Sequence, residues 1–459
     1  MRKKINIPMT VCLVTGILTL GACAEYLDVK PIRSLAIPGT LRDLQAILDN
    51  ETRRNTLYPY AGDVAADYYY LDEAGFNQLN DAFDARNIYL WKSDAVADRD
   101  WSNMYLNIFD VNVVLEEVDD AQLGGLTELD RRHIKGAALF FRGLAFYHLA
   151  QIFAPPFDEA GAEKLLGVPL RLSPNIETPT TRPSLAETYN QILHDLTEAV
   201  ALLPTSTPVP VRPNKAAAHA ALAKAYLIMG NYQNSLEHAN ACLDLYSELI
   251  DFNDLDPAAA KPVPALNKEV LLHLQMPNGG GGFNNTRAKV SPALHALYTA
   301  DDLRTEIFYK ENADGSYRFT GDYGTSATVT APFCGLATNE VYLIKAECLA
   351  RLGEIGLALE TLNTLLKNRW KAGLFNPYDT DDAEEALKVI ITEREKELAL
   401  RGGVRWSDLR RLNKDSRFKR TVTREMGGTT YTLQPEDSRY TFLIPASVVQ
   451  ETGIPQNER

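Results

Sequence analysis

Apolar residues return at every third or fourth position through most of this chain and rarely at every second, a pattern that predicts helices packed on helices. Leu41, Leu44, Ile47 and Leu48 share one face of a helix introduced by Gly39-Thr40. Trp101, Tyr105, Ile108, Val111 or Asn112, and Leu115 recur at the same spacing between Asp100 and Val118. Between Arg131 and Phe153 the stripe is Ile134, Ala138, Phe141, Ala145, His148 and Ile152. His148 therefore reads as a core histidine, not a ligand.

Two later segments match each other. Leu222 to Tyr232, followed by Ser235-Leu236, puts small residues where two helices must touch and Gly230 at the turn between them. Ala346 to Gly353, followed by Ala358-Leu359, repeats that arrangement. Both resemble tetratricopeptide units, whose antiparallel helix pairs bury a face only by stacking on neighbours. Residues 131–153 with 184–203, and residues 383–412, are expected to supply further pairs in degenerate form. Proline-rich connectors run through Thr178–Pro183, Pro204–Pro213 and Pro257–Pro264. The glycine run Gly279–Gly282 lacks the Lys-Ser/Thr of a phosphate loop and reads as a loop only. Phe308-Tyr309 and Tyr317-Arg318-Phe319 flank Asp314-Gly315 as a small β-hairpin. The expected fold class is mainly α, with tetratricopeptide-like helical repeats, long irregular loops and a few short β-hairpins.

The first residues follow a different logic. Arg2-Lys3-Lys4 precede Ile5 to Leu20, which is 16 mostly apolar residues, short of the ~20 a spanning helix needs. Leu20-Gly21-Ala22-Cys23 then reads as a lipoprotein signal: small residues admit a peptidase, and the Cys23 thiol is the nucleophile that is acylated, for example by palmitate. Two or more acyl chains give stable anchoring, at roughly 0.8 kcal/mol per buried CH₂. Residues 1–22 are expected to be the signal peptide, 23–40 a lipidated tether and 41–459 a single body, with an N-terminal part of about 41–213 and a C-terminal part of about 214–459.

Charge narrows the partners. Lys and Arg number 47 against 60 Asp and Glu, a formal net charge of −13. Nucleic acids and anionic lipid headgroups require clustered positive charge, so neither is expected as a partner. Past Cys23 only Cys242, Cys334 and Cys348 remain, which allow at most one disulfide and leave open whether one forms. The seven histidines are scattered without HExxH or paired cysteine spacing, so no metal site and no cofactor are expected.

Several segments, in order, resemble one family. They are Cys23-Ala24-Glu25-Tyr26-Leu27-Asp28-Val29-Lys30-Pro31, Phe141 to Leu149 followed by Gly167-Val168-Pro169-Leu170, Glu393 to Arg411, and the closing Phe442-Leu443-Ile444-Pro445 with Gln456-Asn457. Together they are similar to the SusD/RagB-type outer-membrane lipoproteins of Bacteroidota. Arg401 stands where that family commonly has Glu, Gly403-Val404 lengthens a turn, and the usual Gly-Tyr ending is missing. The resemblance implies a SusD-like fold. It also implies a surface-exposed protein, lipid-anchored in the outer membrane, that captures an oligosaccharide or peptide for a SusC-like TonB-dependent β-barrel transporter. It implies a binding protein, not an enzyme. The alternatives are a surface polymer-degrading enzyme, such as a glycoside hydrolase, and a repeat scaffold that binds only proteins.

Glu393 to Arg411 reads as architecture. Glu393, Glu397, Arg394 and Arg401 fall at spacings that permit i,i+4 pairs, and Trp406 with Leu409 can pack the next turn. Two carboxylates on adjacent turns of one helix face the same way and do not flank a sugar ring, so no catalytic residue is assigned. Sugar capture calls instead for flat aromatic faces with amides or carboxylates beside them. Tyr68-Tyr69-Tyr70 with Asp67, Asp72 and Asn77 is the best such cluster, since three consecutive tyrosines cannot all face one core. Trp91, Phe283-Asn284 and Tyr317 are the further ligand-binding candidates, while Trp101, Trp370 and Trp406 are assigned to packing.

Overall fold

The computed structural model describes residues 38–79, 81–277, 284–326 and 331–459. The signal peptide, Cys23, Phe283 and the glycine run lie outside them. Helix α1 (Leu41–Leu48) begins with a reciprocal cap, in which Asp43 N–H donates to Thr40 Oγ1 and Thr40 N–H donates to the Asp43 carboxylate. Thr127 with Asp130 starts α3 (Glu128–Phe153) in the same way, and Ser184 with Glu187 starts α4 (Leu185–Leu202). Helix α3 packs between α2 (Asp98–Glu117) and α4. Every residue of α3 from Ala138 to Phe153 is buried, as befits a central helix. Its Arg142 forms a two-pronged pair with the buried Asp195 of α4, at 2.7 and 2.7 Å.

The two repeat units are helix pairs. Helix α5 (Lys215–Met229) turns at Gly230 into α6 (Tyr232–Leu245), and α7 (Thr338–Arg351) turns at Gly353 into α8 (Ile355–Leu366). Both glycines have positive φ, +75° and +90°, which side chains resist. Helix α5 packs on α4, and α6 packs on α7, so the pairs stack as repeats.

Residues 383–412 depart from the expected pairing. Helix α9 (Ala383–Glu397) packs on α7 and α8, while α10 (Val404–Leu412) lies on the short helix Ala61–Ala65 and on α5. The close approach needs Gly62, where a Cβ would sit 2.9 Å from Trp406 Cβ. Ion pairs join α9 and α10: Arg394 to Asp408 at 2.9 Å and Arg405 to Glu395 at 3.2 Å.

Among the described residues strands are few and short, and all pair antiparallel: β1 (Tyr69–Tyr70) with β3 (Lys289–Val290), β2 (Val270–Leu272) with β6 (Leu336–Ala337), β4 (Tyr309–Glu311) with β5 (Tyr317–Phe319), and β7 (Val422–Met426) with β8 (Thr429–Leu433). The β4–β5 pair is the hairpin expected around Asp314-Gly315. The fold is mainly helical, with tetratricopeptide-like pairs and long irregular connections. Residues 40–459 form one compact unit. His148 is buried against the Tyr58 ring, and burial holds its pKa down to about 3, so it is neutral. Cys242, Cys334 and Cys348 are free and buried. Among the described residues, no helix is long and apolar enough to cross a membrane.

Candidate ligand-binding site

The β1–β3 ribbon sorts the tyrosines. Tyr69 faces Val290 and Tyr70 faces Lys289 across the ladder. Opposite residues share a face and successive residues alternate. Tyr69 and Val290 are both 3% exposed, whereas Tyr70 is 36% exposed. Lys289 Nζ bridges two carboxylates, Asp314 at 2.8 Å and Asp72 at 2.9 Å. Those bonds, Asp314 first, raise the Lys289 pKa. Asp314 is held well below the usual carboxylate range by Lys289 and by Ser316, and Asp72 is lowered by the Gly75 N–H and then by Lys289. All three groups are therefore charged at neutral pH, and the cluster carries one net negative charge.

Strand β5 runs beside β3 and brings Tyr317 to the same region. The half-buried Tyr317 ring stacks on His295, with centroids 3.8 Å apart and planes at 16°. Burial lowers the His295 pKa, leaving a neutral ring. Asn77 is exposed at the end of the short helix Glu73–Asn77. Asn284 is half-buried, and its Oδ1 accepts from Thr286 N–H and Oγ1–H at 2.9 and 2.8 Å. The ribbon thus offers two aromatic rings beside a fixed carboxylate–ammonium–carboxylate row.

Four candidates are instead engaged by the fold, Tyr68, Tyr69 and Trp91 buried and Asp67 half-buried. Tyr68 is 2% exposed: its hydroxyl donates to the Glu395 carbonyl at 3.2 Å, and the Arg405 guanidinium covers its ring at 4.8 Å. Asp67 is taken by Arg405 at 2.6 and 2.7 Å and by Arg420 at 3.3 Å, which hold it far below the usual carboxylate range. Tyr69 donates to the Val64 carbonyl at 3.2 Å. Trp91 is 1% exposed, donates to the Ala65 carbonyl at 2.9 Å and lies under Arg424. Arg405 lies over the Tyr68 ring and Arg424 over the Tyr69 and Trp91 rings, while Arg405 and Arg420 engage Asp67, so all four are met by basic residues from beyond position 400. Sequence reasoning missed Lys289 and His295; the alternation Ala288-Lys289-Val290 is the signal that marks a strand there.

The carboxylates of the 393–411 motif are engaged by arginines. Glu393 binds Arg304 at 2.6 Å, and Glu397 binds Arg369 at 2.8 Å and Arg304 at 3.2 Å, all of them buried. Arg394 pairs with Asp408 and Glu340. The expected i,i+4 pairs within the helix give way to partners from distant segments. Fully desolvated arginines need such partners, so these carboxylates serve the fold.

The comparisons agree with this architecture. A family model described as starch-binding and associating with the outer membrane matches residues 25–227, and the SusD family model matches residues 281–447. No curated protein matches the chain. Among solved structures, a proposed sugar-binding protein of Bacteroides vulgatus superposes with TM-score 0.75 at 20% identity, over 91% of this chain and 98% of that one. A SusD superfamily protein of Bacteroides thetaiotaomicron gives 0.73 at 22% identity, over 92% and 100%. A laminarin-binding SusD-like protein gives 0.63 at 18% identity, over 90% and 97%. This chain belongs to the SusD/RagB family.

Proposed function

We propose that this protein captures a neutral oligosaccharide at the cell surface, is lipid-anchored to the outer membrane through Cys23, and delivers its cargo to a SusC-like TonB-dependent transporter. The observation that carries the reading is the exposed Tyr70 ring beside the Asp72–Lys289–Asp314 row, with Tyr317 on the adjacent strand. An aromatic face takes the apolar side of a pyranose, and charged groups and amides at its edge bond the hydroxyls. The net negative row favours a neutral sugar over a uronate. In this reading Tyr70 and Tyr317 stack, Asp72, Lys289 and Asp314 bond hydroxyls, and Asn77 and Asn284 supply amides. Asp67, Tyr68, Tyr69 and Trp91 support the site from behind. The matching family description names starch, and a similar structure binds laminarin; both support a glucan class. Calorimetric titration with malto- and laminari-oligosaccharides tests the reading: saturable heat supports it, and its absence for neutral glycans removes it.

A further inference from the structure

The stretch of chain that presents Tyr70 is held from below by one arginine, and that arginine has no counter-ion. Strand β7 alternates, with Val422 and Arg424 buried and Thr423 and Glu425 exposed. Among the described residues, the buried Arg424 has no carboxylate partner. Its guanidinium donates to the backbone carbonyls of Tyr89 and Ala66. It also lies 3.7 Å from the centre of the Tyr89 ring, 4.6 Å from that of Trp91 and 5.7 Å from that of Tyr69.

Each of these partners fixes the β1–β3 ribbon at a different point. Ala66 lies between the helix Ala61–Ala65 and strand β1. Tyr69 is the inner residue of β1, directly behind the outward Tyr70. Leu71 N–H, just past the strand, donates to Tyr89 Oη at 2.9 Å. The Tyr89 ring also meets Phe76, centroids 5.8 Å apart, in the helix that Asp72 caps. Trp91 Nε1–H donates to the Ala65 carbonyl at 2.9 Å. One guanidinium therefore ties together both ends of residues 66–91, the stretch that carries Tyr70 and Asp72.

An arginine is a costly way to fill that space, because a buried guanidinium gives up its water and regains only carbonyl oxygens and ring faces. A methionine would pack there without that cost and would leave the two carbonyls unjoined. Trp91 carries a second mark of constraint. Its φ is +52°, in the left-handed region that bulky residues resist. Such strain persists only where the surroundings over-determine it. Here Arg424 against the Trp91 ring, Arg439 on the Trp91 carbonyl at 3.1 Å and the bond to Ala65 do so.

We propose, resting on the Tyr70 reading above, that Arg424 is a positioning residue for ligand capture. It touches no ligand itself. Through Tyr69 and Tyr89 it sets the outward face of Tyr70 and the Asp72 carboxylate in the places from which they act.

The test is a double-mutant cycle on residues 24–459, which contain the whole compact unit, read by calorimetry with maltohexaose and laminarihexaose. Arg424→Met keeps the bulk and loses the donors. It should weaken binding about as much as Tyr70→Ala, three- to tenfold, and weaken it little further in the Tyr70→Ala background. Arg424→Lys keeps the charge and should recover part of the affinity; it carries the same cycle if Arg424→Met does not fold. Glu397→Gln, which loosens the core elsewhere, should lose stability and keep its affinity, so that lost binding is told apart from lost fold. Hydrogen exchange of residues 66–79 should quicken in the Arg424 variants, and exchange of α3 should not. Parent affinity in folded Arg424 variants, losses that add in full across the cycle, or unchanged exchange at 66–79 each overturn the proposal. A parent that binds neither sugar refutes the Tyr70 reading instead, and the exchange result then decides by itself whether Arg424 holds the ribbon.

Discussion

Tyr70 and Lys289 stand opposite each other across the β1–β3 ribbon and share its outer face, while Tyr69 and Val290 share the inner one. The register of one short ribbon thus decides which tyrosine of three meets solvent. The exposed one lies beside a lysine fixed between two carboxylates.

Truncating an exposed face and truncating a buried one should separate cleanly. Tyr70→Ala is expected to weaken oligosaccharide binding about three- to tenfold, the worth of one stacking contact, with stability within about 0.5 kcal/mol of the parent. Tyr68→Ala should cost about 3 kcal/mol in urea denaturation, since it empties a buried site under Arg405. Loss of stability in the Tyr70 variant would contradict the assignment of the two faces.

Glu397 serves the fold. Glu397→Gln removes the charge of the carboxylate shared by Arg369 and Arg304, which keep Glu269 and Asp302 with Glu393, so the weakened charge-assisted hydrogen bonds should cost about 1–3 kcal/mol. Denaturation midpoints measure this directly. An unchanged midpoint would show that the network does not hold the core.

Helices and their turns were legible because the apolar period of three to four and the glycines at 230 and 353 are local signals. The hairpin around Asp314-Gly315 was legible for the same reason. The fate of the tyrosines was not, because the carbonyl that receives the Tyr68 hydroxyl belongs to a residue 327 positions away. Residues 383–412 were misread as a repeat pair because charge along a helix does not reveal its partners. Arg304 and Arg369, which engage Glu393 and Glu397, come from segments with no repeat signature.

Asp100 gives a pH signature. It is buried, accepts the N–H groups of Tyr60 and Ala61, and burial pushes its pKa up to about 8. The folded protein therefore keeps a proton that the unfolded chain releases near the ordinary carboxylate range. Stability from this group falls as pH rises toward about 8, then levels off. Asp63, with a pKa pushed up to about 7 by burial, acts in the same direction. Asp100→Asn keeps an acceptor oxygen without the titration, so its melting temperature should fall less between pH of about 6 and 8. Parallel slopes for parent and variant would contradict this.

Cys23 governs where the chain resides. Cys23→Ala should move the protein from the membrane pellet to the soluble fraction after cell lysis, with no change in the fold of residues 40–459. Recovery of the variant in the pellet would rule out the thiol as the anchor.

The most direct measurement is calorimetry of residues 24–459 against malto- and laminari-oligosaccharides, run in parallel on Tyr70→Ala and followed by mass spectrometry of the recovered sugar. Capture predicts saturable binding that weakens in the variant and returns the oligosaccharide intact. Shortened sugar, or binding unchanged by the loss of Tyr70, would contradict it.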